Sequence, residues 1–281
     1  MNRMHVIWKL SRTELLCLLR STKMIILAVF IVFLNIQVIV PLRELSVQMG
    51  GKLSVFEPFL AIGNSGLVLL ILPLLFITMM ADFPREGESQ YFCQIRCSKR
   101  LWTAGQILYA AEASVIMVVF VFVVTVLLSL DFTEWNPDYS YGITRYVTAF
   151  PERAGDYAAQ LIPENLYNQI SLGKAVFHTA MLQALYFFLL ALILLICALI
   201  GRKLTGLLLD GALILLGTIT CATRMAYMWI LPMGHTIPWL HYTEYESRMI
   251  LPMSVSYIYF GILNIVLLTA AIVVSKRYQV V

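Results

Sequence analysis

Charge is what this sequence has least of. Only 13% of its 281 residues are Asp, Glu, Lys or Arg, about half the ~25% carried by soluble domains, while 60% are hydrophobic and the mean hydropathy is +0.82. That balance excludes a water-soluble globule and makes lipid the solvent. The apolar runs also lack strict apolar/polar alternation, which excludes barrel strands. No water at bilayer depth can satisfy the backbone, so the runs must be helices. A phosphate loop is missing too. "GGKLS" at 50–54 has Ser46 where the first glycine should stand and Leu53 where Ser or Thr should follow the lysine. No nucleotide-hydrolysing domain is expected in this chain.

What is present is a set of apolar runs, each near the ~20 residues needed to cross ~30 Å of hydrocarbon. Six qualify, at 24–42, 58–80, 104–130, 175–200, 206–231 and 254–275. The fold class predicted is an all-α membrane protein of six transmembrane helices, forming one transmembrane domain over 1–281. The first run begins after 23 residues and has no small-residue cleavage pattern near Pro41 and Leu42, so it is expected to stay as an anchor.

Orientation follows the distribution of Lys and Arg. With the N-terminus inside, 13 of the 20 basic residues face the cytoplasm: Arg3, Lys9, Arg12, Arg20, Lys23, Arg85, Arg96, Lys99, Arg100, Arg202, Lys203, Lys276 and Arg277. The other side holds seven, in longer loops that also carry ten acids, among them Glu44, Glu57, Asp131 and Glu164. Both termini are therefore expected in the cytoplasm of a multi-pass protein of a cell membrane. The net charge of +4 needs no nucleic acid to explain it, since it falls where the positive-inside bias puts it.

Four segments lie outside the spans. In 1–23, Met4, Ile7, Trp8, Leu15, Leu18 and Leu19 cluster on one side of a helical wheel and Arg3, Lys9, Arg12, Thr13 and Arg20 mostly on the other. This reads as a helix in the inner interface, or as a plain basic flank. The 131–174 segment, rich in Tyr and turn formers, makes an extracellular cap too small for its own core, with a short helix from Pro163 or Glu164. In 232–253, three prolines interrupt aromatic and apolar residues, giving a re-entrant segment or a surface loop; Pro232, His235, Pro238 and Trp239 are its outer-gate candidates. The fourth, "DFPREGESQYFCQIRCSKRLW" at 82–102, pairs Tyr91, Phe92 and Ile95 with Arg96, Lys99 and Arg100. Apolar anchors rimmed by charge suit a helix docking into a soluble partner's groove, or one lying on the inner leaflet.

Candidate chemistry inside the membrane is sparse. "GNSG" at 63–66 is similar to the nucleophile motif of rhomboid intramembrane proteases, which would make Ser65 a nucleophile; it would need a histidine base at similar depth. His178, His235 and His241 lack the expected glycine-spaced helix, and small residues at close helix contacts are the commoner use of Gly63, Ser65 and Gly66. Cys93 and Cys97, four apart, find no second Cys or His pair on their side, where His5 is the one histidine, and Cys17, Cys197 and Cys221 are scattered. No metal site or disulfide framework is expected. Glu112 and Asp210 fall within spans, where acids usually face protein or water, so both are candidates for an ion-coupled secondary transporter. No internal repeat supports that reading.

An N-terminal interfacial helix, six spans with both ends inside, a loop between spans two and three and a proline-broken segment before span six resemble the permease subunits of type-2 ATP-binding-cassette (ABC) exporters. The run "DFPREGESQYFCQIRCSKRLWTAGQILY" is similar to short permeases of this kind from Gram-positive bacteria. The resemblance implies that 82–102 holds the coupling helix, gripped by an ABC ATPase subunit present in two copies that binds ATP and Mg, with no cofactor on this chain. It also implies a second permease subunit, identical or related, and outward movement of an amphipathic cargo such as a peptide, lipid or drug. The 131–174 cap is longer than in minimal members.

Overall fold

The computed structural model describes residues 3–85, 97–243 and 249–277. Among the described residues, five helices are long and apolar enough to cross a membrane: α2 (Met24–Met49), α5 (Lys99–Ser129), α9 (Leu172–Leu199), α10 (Lys203–Ala222) and α11 (Met253–Arg277). They define an all-α multi-pass membrane protein. α9 is the hub, 67% of its apolar window being buried against 22–39% for the other four. Leu182, Leu190, Ala191 and Leu195 are fully enclosed there.

The predicted second span is corrected. It is two pieces, α3 (Glu57–Ile62) and α4 (Gly66–Met79), broken at Gly63-Asn64-Ser65. At 1.5 Å per residue α4 is about 21 Å long, short of the hydrocarbon thickness. The break has two causes, one distant in sequence and one local. Gly63 lies so close to α9 that an added Cβ would stand 2.6 Å from Thr179 Cγ2. Ser65 turns extended and caps α4, its hydroxyl accepting from Val68 N at 3.4 Å.

Two further boundaries differ from expectation. α2 continues past Pro41 and Leu42 to Met49 because Asn35–Ile39 forms a π turn. Val40 N reaches back to Asn35 O, and the wider turn accommodates a proline that has no N–H to give. α10 stops at Ala222, well before 231. Arg224 then takes a left-handed φ of 48° and the chain folds back through a 3-10 turn at Ala226–Ile230.

α5 has 31 residues, about 46 Å, so one end extends beyond the bilayer core. Along that end lies α1 (Arg3–Leu19). The wheel of α1 divides three ways. Leu10, Ser11 and Glu14 are buried on α5, Met4, Trp8, Leu16 and Leu19 are exposed apolar residues, and the basic residues take the remainder. Contact is close at Gly105, where a Cβ would meet Leu10 Cβ at 2.8 Å.

At the opposite end sits the cap. A short parallel pair joins β1 (Leu53–Ser54) to β2 (Thr133–Glu134), followed by α6 (Tyr141–Ala149), α7 (Tyr157–Gln160) and α8 (Glu164–Tyr167), the last with Pro163 at its N-cap. The cap shares the core of the bundle, burying Ile143, Leu161, Ile162 and Leu166. Gln48 Oε1 at the end of α2 accepts from Tyr146 Oη at 3.0 Å and Arg153 Nη1 at 2.8 Å.

Glu57 fastens the cap to α3. It is fully buried, and its two oxygens accept from Ser54 N at 2.8 Å and Ser140 N at 2.7 Å. Burial pushes its carboxyl up from 4.5 to about 7, against the lowering effect of those donors. The folded state thus holds the proton more tightly than the unfolded one. The associated stability is full below pH 4.5 and is lost as pH rises to about 7, a change of about 3 kcal/mol. We expect the melting temperature of the reconstituted protein to fall from pH 5 to 7.5, and the fall to shrink markedly in Glu57→Gln. Identical pH slopes for the two proteins would contradict this account.

Candidate functional site

At the basic end, the described part of the 82–102 loop is tied at both stems. Lys23, just before α2, pairs with Asp82 at 2.8 Å and donates to Met79 O at 3.3 Å. That hydrogen bond and the lysine charge hold the Asp82 carboxyl below its usual range. Lys203, opening α10, donates to Pro84 O at 2.6 Å. On the return side Ser98 caps α5, accepting from Leu101 N at 3.4 Å, and Lys99 and Arg100 are exposed in its first turn. Tyr91, Phe92, Ile95 and Arg96 lie outside the described residues. Two cations at a helix N-terminus oppose the helix dipole.

Glu112 faces α1. Ser11 Oγ donates to its Oε2, and Gln106 Nε2 donates to Glu14 Oε1 at 3.3 Å, so α1 and α5 are joined by polar side chains as well as by close packing. Asp210 is different. It is fully buried on α10, and neither carboxylate oxygen has a hydrogen-bond partner among the described residues.

The 232–241 segment enters the bundle from the cap end as two 3-10 turns, opened by Pro232 and Pro238. Met233 reaches Gly217, where a Cβ would stand 2.8 Å from Met233 Cβ. That contact is five residues, about 7.5 Å, below the end of α10. Gly234 is equally constrained, with Met228 O only 2.5 Å from its would-be Cβ. Protein covers this irregular backbone, as bilayer physics demands. His235 Nε2 faces Trp229 O and its Nδ1 faces Ser256 Oγ, both at 2.8 Å, while His241 Nδ1 faces Leu251 O at 2.8 Å. The cap grips the same segment: Asn165 Nδ2 donates to Trp239 O at 3.0 Å and Gln169 Nε2 to Thr243 O at 2.9 Å.

Between these parts lies a cavity of about 520 Å³, lined by Asn64, Ser65, Tyr157, Glu164, Arg224 and Trp239 among others. Asn64, Gly66 and Trp239 also line an apolar cavity of about 140 Å³ walled by Leu69, Met233, Ile237 and Leu240. Leu69 and Met233 continue into a pinch of about 10 Å³ beside Gln183 and Tyr186, room for about one water. The cavities thus descend from the cap along α4 and close in the bundle. The guanidinium of Arg224 stands 5.2 Å from the centre of the Trp239 ring. Ser65 Oγ is hydrogen-bonded to Tyr157 Oη at 2.7 Å, whereas His178 bonds Tyr257 and His235 and His241 bond the groups already named.

Trp239, a gate candidate from the sequence, lies in this wall beside Asn64, Tyr157, Glu164 and Arg224, which sequence alone does not bring together. A usable signal existed in Arg224, a lone basic residue at the cap-side end of an apolar run.

No family model, curated protein or solved structure matches the chain. The fold itself defines the class, a multi-pass helical membrane protein with a vestibule at the cap end and, at the other, a basic loop whose described stems are tethered.

Proposed function

We propose that this chain is the membrane-spanning subunit of an ATP-driven exporter of the type-2 ABC kind, with the basic end in the cytoplasm. The supporting observation is the tethering of the 82–102 loop. Its first stem is held by Lys23 and Lys203 from two different spans, and its second is the end of α5, on which α1 is clamped. A pull on such a loop reaches α2, α5 and α10 together, which is what a soluble motor needs to rock a bundle. The exposed Lys99 and Arg100, unfavourable to their own helix, serve a partner's acidic rim. ATP and Mg belong to that partner, and a second permease subunit covers the exposed apolar faces. In this reading Pro232, His235, Pro238 and Trp239 form the outer gate, closed as described and opened when the segment lifts away from Gly217.

The test is purification from native membranes. An ATPase subunit is expected to accompany the wild-type chain and to be lost, with at least about tenfold lower ATP turnover, when Phe92, Ile95 and Arg96 are replaced together by alanine. Undiminished capture and turnover in that variant would remove the proposal. A second reading, an ion-coupled transporter, draws on the unpartnered burial of Asp210.

A further inference from the structure

The two joined cavities carry a more specific statement, which rests on the exporter reading only for its biological purpose. We propose that they form a binding site for a peptide C-terminus: a free carboxylate preceded by one bulky apolar side chain.

Three features converge. The first is a fixed positive charge, Arg224, which lines the larger cavity and is stacked on Trp239. Arginine presents a planar fork matched to a carboxylate, and its left-handed backbone is held at the point where the chain turns away from α10. The exposed start of α4 adds the partial positive charge of a helix N-terminus on the same wall, at Gly66. Glu164 stands in that wall too. A carboxylate there disfavours doubly charged phosphates and leaves a singly charged anion as the better guest.

The second feature is an orphaned acceptor. Asn64 is 8% exposed and lines both cavities; its Nδ2 donates to Leu60 O at 3.2 Å, while its Oδ1 is buried with no partner among the described residues. A buried acceptor left without a donor is costly. Rotation of the Asn64 amide toward either cavity would bring it to a donor of the guest, and a peptide N–H adjoining the terminal residue supplies one.

The third is size. The apolar annex of about 140 Å³ resembles in volume the ~150 Å³ cavity that takes one benzene. It holds a single leucine or aromatic side chain and is too small for an acyl chain. The outer cavity of about 520 Å³ falls within the ~300–1,000 Å³ of small-ligand sites and accommodates a few residues. Trp239, shared by both, places the charge-binding wall directly beside the apolar one. These dimensions favour a peptide end over a lipid.

Binding is tested on the full chain in nanodiscs, without any ATPase, by calorimetric titration with N-acetyl-Ala-Phe, its C-terminal amide, and N-acetyl-Ala-Ala. The acid is expected to bind at least about tenfold more tightly than the amide and about tenfold more tightly than the alanine peptide. Arg224→Gln should abolish the acid–amide difference and keep the Phe–Ala one; Ala222→Phe, filling the annex, should do the reverse. Equal binding of acid and amide by the wild-type chain, no saturation up to about 10 mM, or displacement of the peptide by an equal concentration of lysophosphatidylethanolamine would each overturn the proposal. The ligand arms need no variant to fold. A chain that discriminates these peptides but captures no ATPase keeps the site and loses the exporter. One that captures an ATPase yet does not discriminate loses the site alone.

Discussion

Gly105→Leu is expected to detach the N-terminal helix. The position tolerates no side chain as packed, since even a Cβ would stand 2.8 Å from Leu10 Cβ and 3.4 Å from the backbone oxygen of Ile7. An isobutyl group must push α1 away, and overpacking of this kind costs about 1–3 kcal/mol. Separation then breaks the Ser11–Glu112 and Gln106–Glu14 hydrogen bonds. Glu14, 2% exposed in the intact contact, is returned to water on separation. With about 2–3 kcal/mol of strain in the closed contact, the fraction of time α1 is open rises roughly 30- to 150-fold. Trypsin cleavage after Lys9 and Arg12, followed by mass spectrometry on the reconstituted protein, reads that opening directly. Gly105→Ala should fall between the two. In the exporter reading the leucine variant also lowers ATP-coupled transport while leaving ATPase capture intact, because the grip is elsewhere. Unchanged cleavage kinetics would show that α1 is not held on α5.

The spans were legible because lipid imposes one rule on every segment that crosses it: a long apolar run closed on its own hydrogen bonds. α5, α9 and α11 therefore lie close to the runs 104–130, 175–200 and 254–275. The misread boundaries share a different character. The α3–α4 break depends on Thr179, more than a hundred residues from Gly63, and no local pattern announces that contact. Pro41 looked like an end because a proline ends ordinary helices; the π turn before it is a local solution that composition does not encode. The run to 231 hid a turn because Met225 to Leu231 are as apolar as a span, and only Arg224 marks the reversal.

The site was legible in part for the same reason. Prolines at 232 and 238 advertise irregular backbone, and both open turns that carry His235 and Trp239 into the bundle. The vestibule was not legible, because its walls come from four separated stretches: the α3–α4 break, the cap helices α7 and α8, Arg224 and Trp239. Each reads locally as something ordinary, such as small residues in a span, a polar loop, a flanking charge or a belt aromatic. Glu112 shows the converse. Its depth along α5 marks it as an intramembrane acid, while its partner Ser11 sits in a segment that reads as interfacial.

Asp210 is the residue whose replacement separates the two transport readings. A fully buried carboxylate with both oxygens unpartnered among the described residues is an expensive thing to keep in a bundle. Either a transported ion or proton visits it, or it is tolerated by an architecture whose work is done elsewhere. In the exporter reading Asp210→Asn and Asp210→Leu both fold, and both retain most ATP-driven transport. The leucine, close in volume and free of polar atoms, stabilises the protein by about 1–3 kcal/mol, measured as a higher melting temperature. In the ion-coupled reading both variants also fold, but gradient-driven uptake or efflux in proteoliposomes drops to background, because no other unpaired acid is buried in the spans among the described residues. The decisive comparison sets vesicles with an ion gradient and no ATPase against vesicles with ATPase and ATP but no gradient, using wild-type and Asp210→Asn protein in each. Transport confined to the ATP-containing vesicles and insensitive to the asparagine supports the coupled loop at 82–102 as the source of motion. Gradient-driven transport that disappears with the carboxylate would move the functional centre to α10 and remove the exporter reading.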